Sequence, residues 1–478
     1  MHPLAQEVAN RNGSNQQRAV SPAATVESGK GQIFLMMNAK TALRLDAVSI
    51  FYLENVPRRQ LDVPGMLKPP PIVQMEAWSP GGIASLVLLF LVWVQPTTQL
   101  THIIAVFETP NATVPFSHLA VDSRTGEIYA GARNRLYQLN HDLRLSAQVV
   151  TGPVNDSHSC YATGCEDPSH PLTSMDNFNK ILLIDYDNGK LISCGSVLQG
   201  ACSFYRLGNI SSRPEFIPQS VAANDPHLST FAFIGPEAYT WDRSNVLYVG
   251  TTFTPHGGYR HDVPALSSRR LDNLDYAEYS FSKQSLLTIE VKYRDHFLVN
   301  YVYGFNHSDF AYFLTVQKRS YLPGDEEKGY ISRLSRVCVS DPNYDSYTEV
   351  TLQCMTEGGE NYNLVRAARV VEAAENLAQS LNIAVGDPVL LAAFAPSQGH
   401  TDRKQDKRSA LCVYSLKDIH VKFNENIHMC FNGSMKYRNM EYISGLILDG
   451  KCPKAGYAAE AKTSKGGEEK AEEHAALG

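Results

Sequence analysis

The residues best equipped for covalent chemistry are nine cysteines: Cys160, Cys165, Cys194, Cys202, Cys338, Cys354, Cys412, Cys430 and Cys452. None precedes residue 160. The close pairs Cys160/Cys165 and Cys194/Cys202 have poor zinc-knuckle spacings, and no histidine stands at ligand distance in the sequence, so disulfides are the better reading. His256 and His261 lie five apart in a Gly-rich loop, which suits neither a helical nor a hairpin metal pair and reads as solvated loop histidine. No nucleophile elbow or phosphate loop is present, and no acidic pair can be placed at catalytic separation. The sequence therefore gives no reason to expect an enzyme, a metal or a cofactor. The basic run Arg403-Lys-Gln-Asp-Lys-Arg408 reads as a solvated loop.

A formal charge of −6 with 19% charged residues describes an ordinary soluble surface and no nucleic-acid partner. The compartment comes from Ile83–Val94, IASLVLLFLVWV. Twelve mostly apolar residues fall short of the roughly twenty that span a bilayer but suit a signal-peptide core, followed by the polar QPTTQ. Met75 is well placed as a start, making residues 75–99 signal-like and residues 1–74 an unstructured upstream extension. Five sequons downstream, at Asn111, Asn155, Asn209, Asn306 and Asn432, support passage through a secretory, disulfide-permissive route. The tail 454–478, rich in Ala, Glu, Lys and Gly, has little to bury and is expected to be disordered.

Between these ends the chain must supply the elements that position any site. SHLAVDSRTGEIYAGARNRLYQLN (117–140) holds three short strands around a Thr-Gly turn. NKILLIDYDNGKLISCGS with CSFYRLGN (179–196, 202–209) repeats the plan around an Asn-Gly turn. TFAFIGPEAYTWDRSNVLYVGTTF (230–253), FLVNYVYGFNHSDFAYFLTVQK (297–318), and DPVLLAAFAP with ALCVYSLKDI (387–396, 410–419) are the third to fifth copies. Five imperfect antiparallel meanders predict an all-β propeller. One stretch breaks the pattern. In residues 361–386, Leu364, Ala367, Val371, Ala374, Leu377 and Leu381 recur three or four apart, predicting an inserted helix ending near Asn382 and Gly386.

Several motifs together resemble a sema domain, and specifically that of the plexins. FSHLAVDSRTGEIYAGARNRLYQLN is similar to a first sema blade. VTGPVNDSHSCYATGC, DNFNKILLIDYDNGKLISCGSVLQGACSFYRL and ALSSRRL (265–271) are plexin-like, and RVCVSDPNYDSYTEVTLQC (336–354) resembles the class A form. The resemblance covers about 102–453. It implies a seven-bladed sema-type propeller, of which about five blades are expected here, and so a truncated receptor fragment whose strand HIIAVFE (102–108) would close the last blade. It implies a cell-surface receptor part acting in axon guidance with a semaphorin ectodomain as partner, and a second plexin copy or a co-receptor as further partners. A secreted decoy or a semaphorin-like ligand is the alternative. The family pattern implies pairs Cys160–Cys165, Cys194–Cys202, Cys354–Cys412 and Cys430–Cys452, with Cys338 left unpaired. The resemblance also places ligand contact in the third-to-fourth blade region. There the loop FTPHGGYRHD and the stretch SSRRLDNLDYAEYSF offer His256, Tyr259, Arg260, Arg269, Arg270, Asp275 and Tyr279 as exposed candidates.

Overall fold

The computed structural model describes residues 32–34, 105–109, 114–165, 170–237, 244–257, 260, 263–280, 283–397, 408–431 and 440–443. The signal-like stretch 83–94 and the tail 454–478 lie outside these residues.

The repeats fold as the turn chemistry dictates. In the first, Phe116–Val121, Ile128–Ala132, Arg135–Leu139 and Leu145–Val150 form an antiparallel meander. Its first turn is held by the Asp122 carboxylate, which accepts from the Arg124 amide and the Thr125 hydroxyl, while Gly126 supplies φ +77°. The second sheet, Ile181–Asp185, Lys190–Cys194, Cys202–Arg206 and Glu215–Ile217, uses Asp185 the same way, with Gly189 at φ +62°. Thr230–Pro236, Asn245–Thr251, Leu266–Arg270 and Leu286–Leu287 make the third sheet. Val299–His307, Phe310–Lys318, Tyr330–Cys338 and Thr348–Leu352 make the fourth. Leu364–Glu372, Pro388–Ala395 and Ala410–Ser415 make a three-stranded fifth.

These sheets stack in sequence order, each burying one face on the next. Tyr129 and Leu136 of the first meet Leu182, Leu191 and Tyr205 of the second. Ile192 and Phe204 meet Leu247 and Val249 of the third, Tyr248 and Leu266 meet Tyr301 and Phe313 of the fourth, and Leu334 and Val350 meet Leu390 and Phe394 of the fifth. The first strands of consecutive sheets run side by side. Face-packed meanders converging on their first strands are the blades of a propeller, as the repeats predicted.

The helix expected over 361–386 is corrected. Residues Leu364–Glu372 are a strand paired with Pro388–Ala395, and only Glu375–Leu381 is helical, ending at Asn382 with φ +54°. Ala, Val, Leu and Arg at three-to-four spacing also satisfy a strand with a bulge, which falls between Val365 and Ala367. Pairing with a buried neighbour decided the matter, because tertiary packing overrides local propensity. A longer helix, Leu416–Phe431, begins inside the stretch 410–419 read wholly as strand. It covers the outer strand Thr348–Leu352 of the fourth sheet. Arg336 pins it there, sandwiched between Phe310 and Phe423 at 4.1 and 4.4 Å and bonded to His420 and Asn424 at 3.0 Å each.

Of the expected closing strand HIIAVFE, residues 102–104 lie outside the described residues, and Val106–Glu108 pairs with Gln32–Phe34, a short strand within the extension read as unstructured. Phe107 seats this piece on the outer side of the first sheet, with ring centroids 6.0 Å from Phe116 and 5.4 Å from Tyr137.

After Phe431 the described chain resumes at Met440, far from the fifth sheet. Ile443 bridges to Ile289, and Tyr442 inserts between the third and fourth sheets beside Phe297, centroid to centroid 4.5 Å.

Candidate ligand-binding surface

Antiparallel alternation divides the third sheet's candidates into two groups. The loop 252–265, which carries His256, joins the second strand to the third. The turn after Arg270, which carries Asp275, lies beyond the other end of Leu266–Arg270, roughly 15 Å of strand away. The contiguous stretch read from the sequence is therefore not one contiguous surface.

Two of the seven candidates are not surface residues at all. Arg260 is 1% exposed and donates from Nε to Thr254 Oγ1 at 2.9 Å, from Nη1 to the Gln199 carbonyl at 2.9 Å and from Nη2 to the Ala222 carbonyl at 3.1 Å. Burial pulls its guanidinium down to about 10. Arg269 is 2% exposed, lies over the Tyr276 ring at 4.4 Å, and donates to the Leu274 carbonyl at 2.9 Å and the Ser220 carbonyl at 3.0 Å. Both arginines tie the segment 218–224, which enters the third sheet from the second, to that sheet's loops. A planar fork that meets carbonyls from separate segments is a structural fastener.

His256, Arg270 and Asp275 stay accessible. His256 stands with Nε2 at 3.3 Å from Asp225 Oδ2. Arg270 pairs with Asp272 through two bonds of 3.1 and 2.5 Å, both side chains more than half exposed. Asp275 is exposed and accepts from Gln219 and Asn273 at 2.6 Å each. Tyr279 falls on the short strand Glu278–Ser280, and Tyr259 lies outside the described residues. Asp225, Asp272 and His158 belong to this neighbourhood and were not anticipated. The turn-forming Asn-Asp-Pro at 224–226 was the one sequence signal that could have drawn attention there.

The cysteines meet as the family pattern implied wherever both partners are described. Cys160 joins Cys165, Cys194 joins Cys202 on adjacent strands, and Cys354 joins Cys412 across the fourth and fifth sheets. Cys430 is disulfide-bonded, and Cys452 lies outside the described residues. Cys338 is a free, half-buried thiol pushed upward by burial. Among the described residues no cluster of histidine, cysteine and carboxylate could hold a metal ion.

Packing bears directly on one sequon. Asn155 and Asn209 are exposed, and Asn111 and Asn432 lie outside the described residues. Asn306, however, has both side-chain polar atoms buried against the third sheet, filling the space left by Gly235. A Cβ on Gly235 would overlap that amide, and a glycan on the amide would hold the third and fourth sheets apart. Glycopeptide mass spectrometry of protein expressed through a secretory route should find sugar on Asn155 and Asn209 and unmodified Asn306. Substantial occupancy at Asn306 in folded material would contradict this packing.

A propeller of face-packed meanders, stapled by cystines at strand ends, marks a sema-type protein. The Sema domain family model matches residues 365–471. Human Plexin-A2 is 33% identical over 394 residues, covering 78% of this chain and 20% of the relative. Zebrafish (Danio rerio) Plexin-A4 is 33% identical over 355 residues, covering 70% and 18%. The solved extracellular region of Plexin A4 superposes with a TM-score of 0.60 at 30% identity, covering 70% of this chain and 35% of that one. The chain thus belongs to the sema-domain proteins, on the plexin branch. It spans about a fifth of the length of the curated relatives it matches.

Proposed function

We propose that this chain is the extracellular ligand-binding part of a plexin-like receptor and takes a semaphorin ectodomain, in axon guidance and related cell-surface signalling. The observation that carries this reading is similarity to A-type plexins over 78% of the chain. The third sheet adds exposed Arg270, Asp272 and Asp275 at one end and His256 at the other, on a framework fixed by buried arginines. Exposed mixed charge beside Tyr276 suits a polar protein interface, where arginine and tyrosine commonly dominate binding energy. The work done at such a surface is recognition, and signalling would belong to other parts of a receptor.

Surface plasmon resonance against a panel of semaphorin ectodomains tests the reading. One class-matched ectodomain should bind, and Arg270→Glu should weaken it by about 1 kcal/mol or more, at least roughly fivefold, with an unchanged melting curve. Absence of binding to every semaphorin by well-folded protein would refute the assignment. Equal binding by Arg270→Glu would move the contact away from that end of the third sheet.

A further inference from the structure

Beneath His256 lies a connected polar cluster that the ligand surface does not by itself require. Asn224, 2% exposed, donates to the Gln199 side-chain oxygen at 3.0 Å and to the His256 carbonyl at 2.9 Å, and its Nδ2 lies 3.5 Å from His158 Nδ1. Its own oxygen accepts from Thr254, whose hydroxyl accepts in turn from Arg260. Gln199 completes the circuit by donating to the His158 and Cys160 carbonyls at 2.8 Å each. The His158 ring stacks on His256, with centroids 5.1 Å apart and planes at 29°. Four separate segments therefore meet here: the cystine-closed turn of 157–165, the short turn Leu198–Gly200 that carries Gln199, the 218–229 connection and the loop 252–257.

We propose that the stacked His158–His256 pair is a proton-operated latch, which holds the loop 252–257 against the Asn224–Asp225 turn at neutral pH and lets it go when His158 takes a proton. Its consequence for ligand rests on the receptor reading above. The latch itself rests on the cluster.

The charges around His158 set the sign. Among the described residues Asp156 and Asp225 attract a proton to it, while His256 and Arg260 repel one. Burial outweighs the carboxylates, so the folded ring sits below its free value of 6.5. A group whose folded value is depressed in this way binds its proton more tightly in the opened form, so opening gains as pH falls through 6.5. A protonated Nδ1 could no longer face the Asn224 amide, and a cation would be stacked on the ring that pairs with Asp225. Two basic groups on the far side of the turn lie outside this window. Lys180, which holds the far side of the turn through the Pro226 and Leu228 carbonyls at 3.0 and 2.9 Å, is lowered by burial only to about 8. His118, lowered to about 4 by burial and by Lys180, stays neutral throughout.

Hydrogen–deuterium exchange of the ligand-free protein at pH 7.4 and 5.5, corrected for intrinsic exchange, tests the latch without any partner. Peptides covering 222–226 and 252–257 should lose protection at pH 5.5 while the strands of the second sheet keep theirs. His158→Gln should remove the difference. His256→Gln, by deleting the neighbouring repulsion, should move the transition to higher pH. If His158→Gln does not fold, the His256→Gln shift decides alone. Equal protection at both pH values, or a pH response that survives in His158→Gln, overturns the proposal.

In the bound arm, the semaphorin ectodomain that binds at pH 7.4 should bind up to about tenfold more weakly at pH 5.5, the limit for one linked proton across one unit below 6.5. A change below about twofold in a protein that still shows the exchange transition would separate the latch from the ligand surface, and would overturn its role in release. Failure of every semaphorin to bind refutes the receptor reading and leaves the exchange arm to judge the latch.

Discussion

Replacing Arg269 with glutamate should abolish the native fold, whereas the same change at the adjacent Arg270 should leave it intact. Arg269 is buried with all its bonds made to neutral partners: the Ser267 hydroxyl and the carbonyls of Leu274 and Ser220. Burial already holds its guanidinium below the ordinary value. Glutamate there would bury an acid opposite two carbonyl oxygens with no donor for either, and would discard the contact with Tyr276. Removing one partner from a buried charged set typically costs about 3–5 kcal/mol, which is a large share of the stability of a domain. Arg270 is more than half exposed and pairs with the equally exposed Asp272, so its loss costs about 1 kcal/mol or less. Circular dichroism melts of the two variants provide the check. Similar melting of both would mean that Arg269 is not held as described.

Glu349→Ala should be the second large loss. Its carboxylate is buried in the fourth sheet, accepting from the Tyr347 hydroxyl at 2.6 Å and from the Tyr442 hydroxyl, with Arg333 Nε at 3.7 Å from its second oxygen. Burial, reinforced by the Glu349 charge, raises both phenols well above their ordinary value, so they remain donors at every physiological pH. Alanine would leave two phenols without an acceptor and a largely buried guanidinium without its counter-charge, at a cost of about 3–5 kcal/mol. Tyr442→Phe removes one charge-assisted bond and should cost about 1.5–3 kcal/mol. Because Glu349 and Tyr442 act on each other, the double variant should fall short of the sum by at least about 0.5 kcal/mol. Urea titrations of the single and double variants measure this, and strict additivity would show that Tyr442 is seated without the carboxylate.

What could be read in the sequence was local. The Thr-Gly and Asn-Gly turns mark hairpins whatever surrounds them, so the first three strands of the first two meanders were located to within about three residues, while their fourth strands, Leu145–Val150 and Glu215–Ile217, were not read. The burial of Arg260 and Arg269 was not legible, because their acceptors are carbonyls of Gln199, Ala222 and Ser220, tens of residues away in the chain. An Arg-rich loop among Tyr and Asp looks the same whether its guanidinia meet solvent or backbone. The burial of Asn306 was hidden for a similar reason. Its sequon is a three-residue property, while its exclusion from solvent depends on a glycine about 70 positions earlier. The stretch 361–386 satisfied two periodicities at once, and only the partner strand Pro388–Ala395 selected between them.

The seating of Tyr442 also bears on the order of events at the ribosome. Its hydroxyl meets the Gln317 side chain across 125 positions of chain. At roughly 5–20 residues per second, the fourth sheet, complete at Leu352, emerges some 4–18 s before the residue that seals the gap between it and the third. During that interval Phe297, Tyr321 and the Glu349 carboxylate face an unfilled cleft. A nascent chain at this stage is the form that a chaperone would have most reason to hold, and a pause in translation before residue 442 would lengthen its exposure.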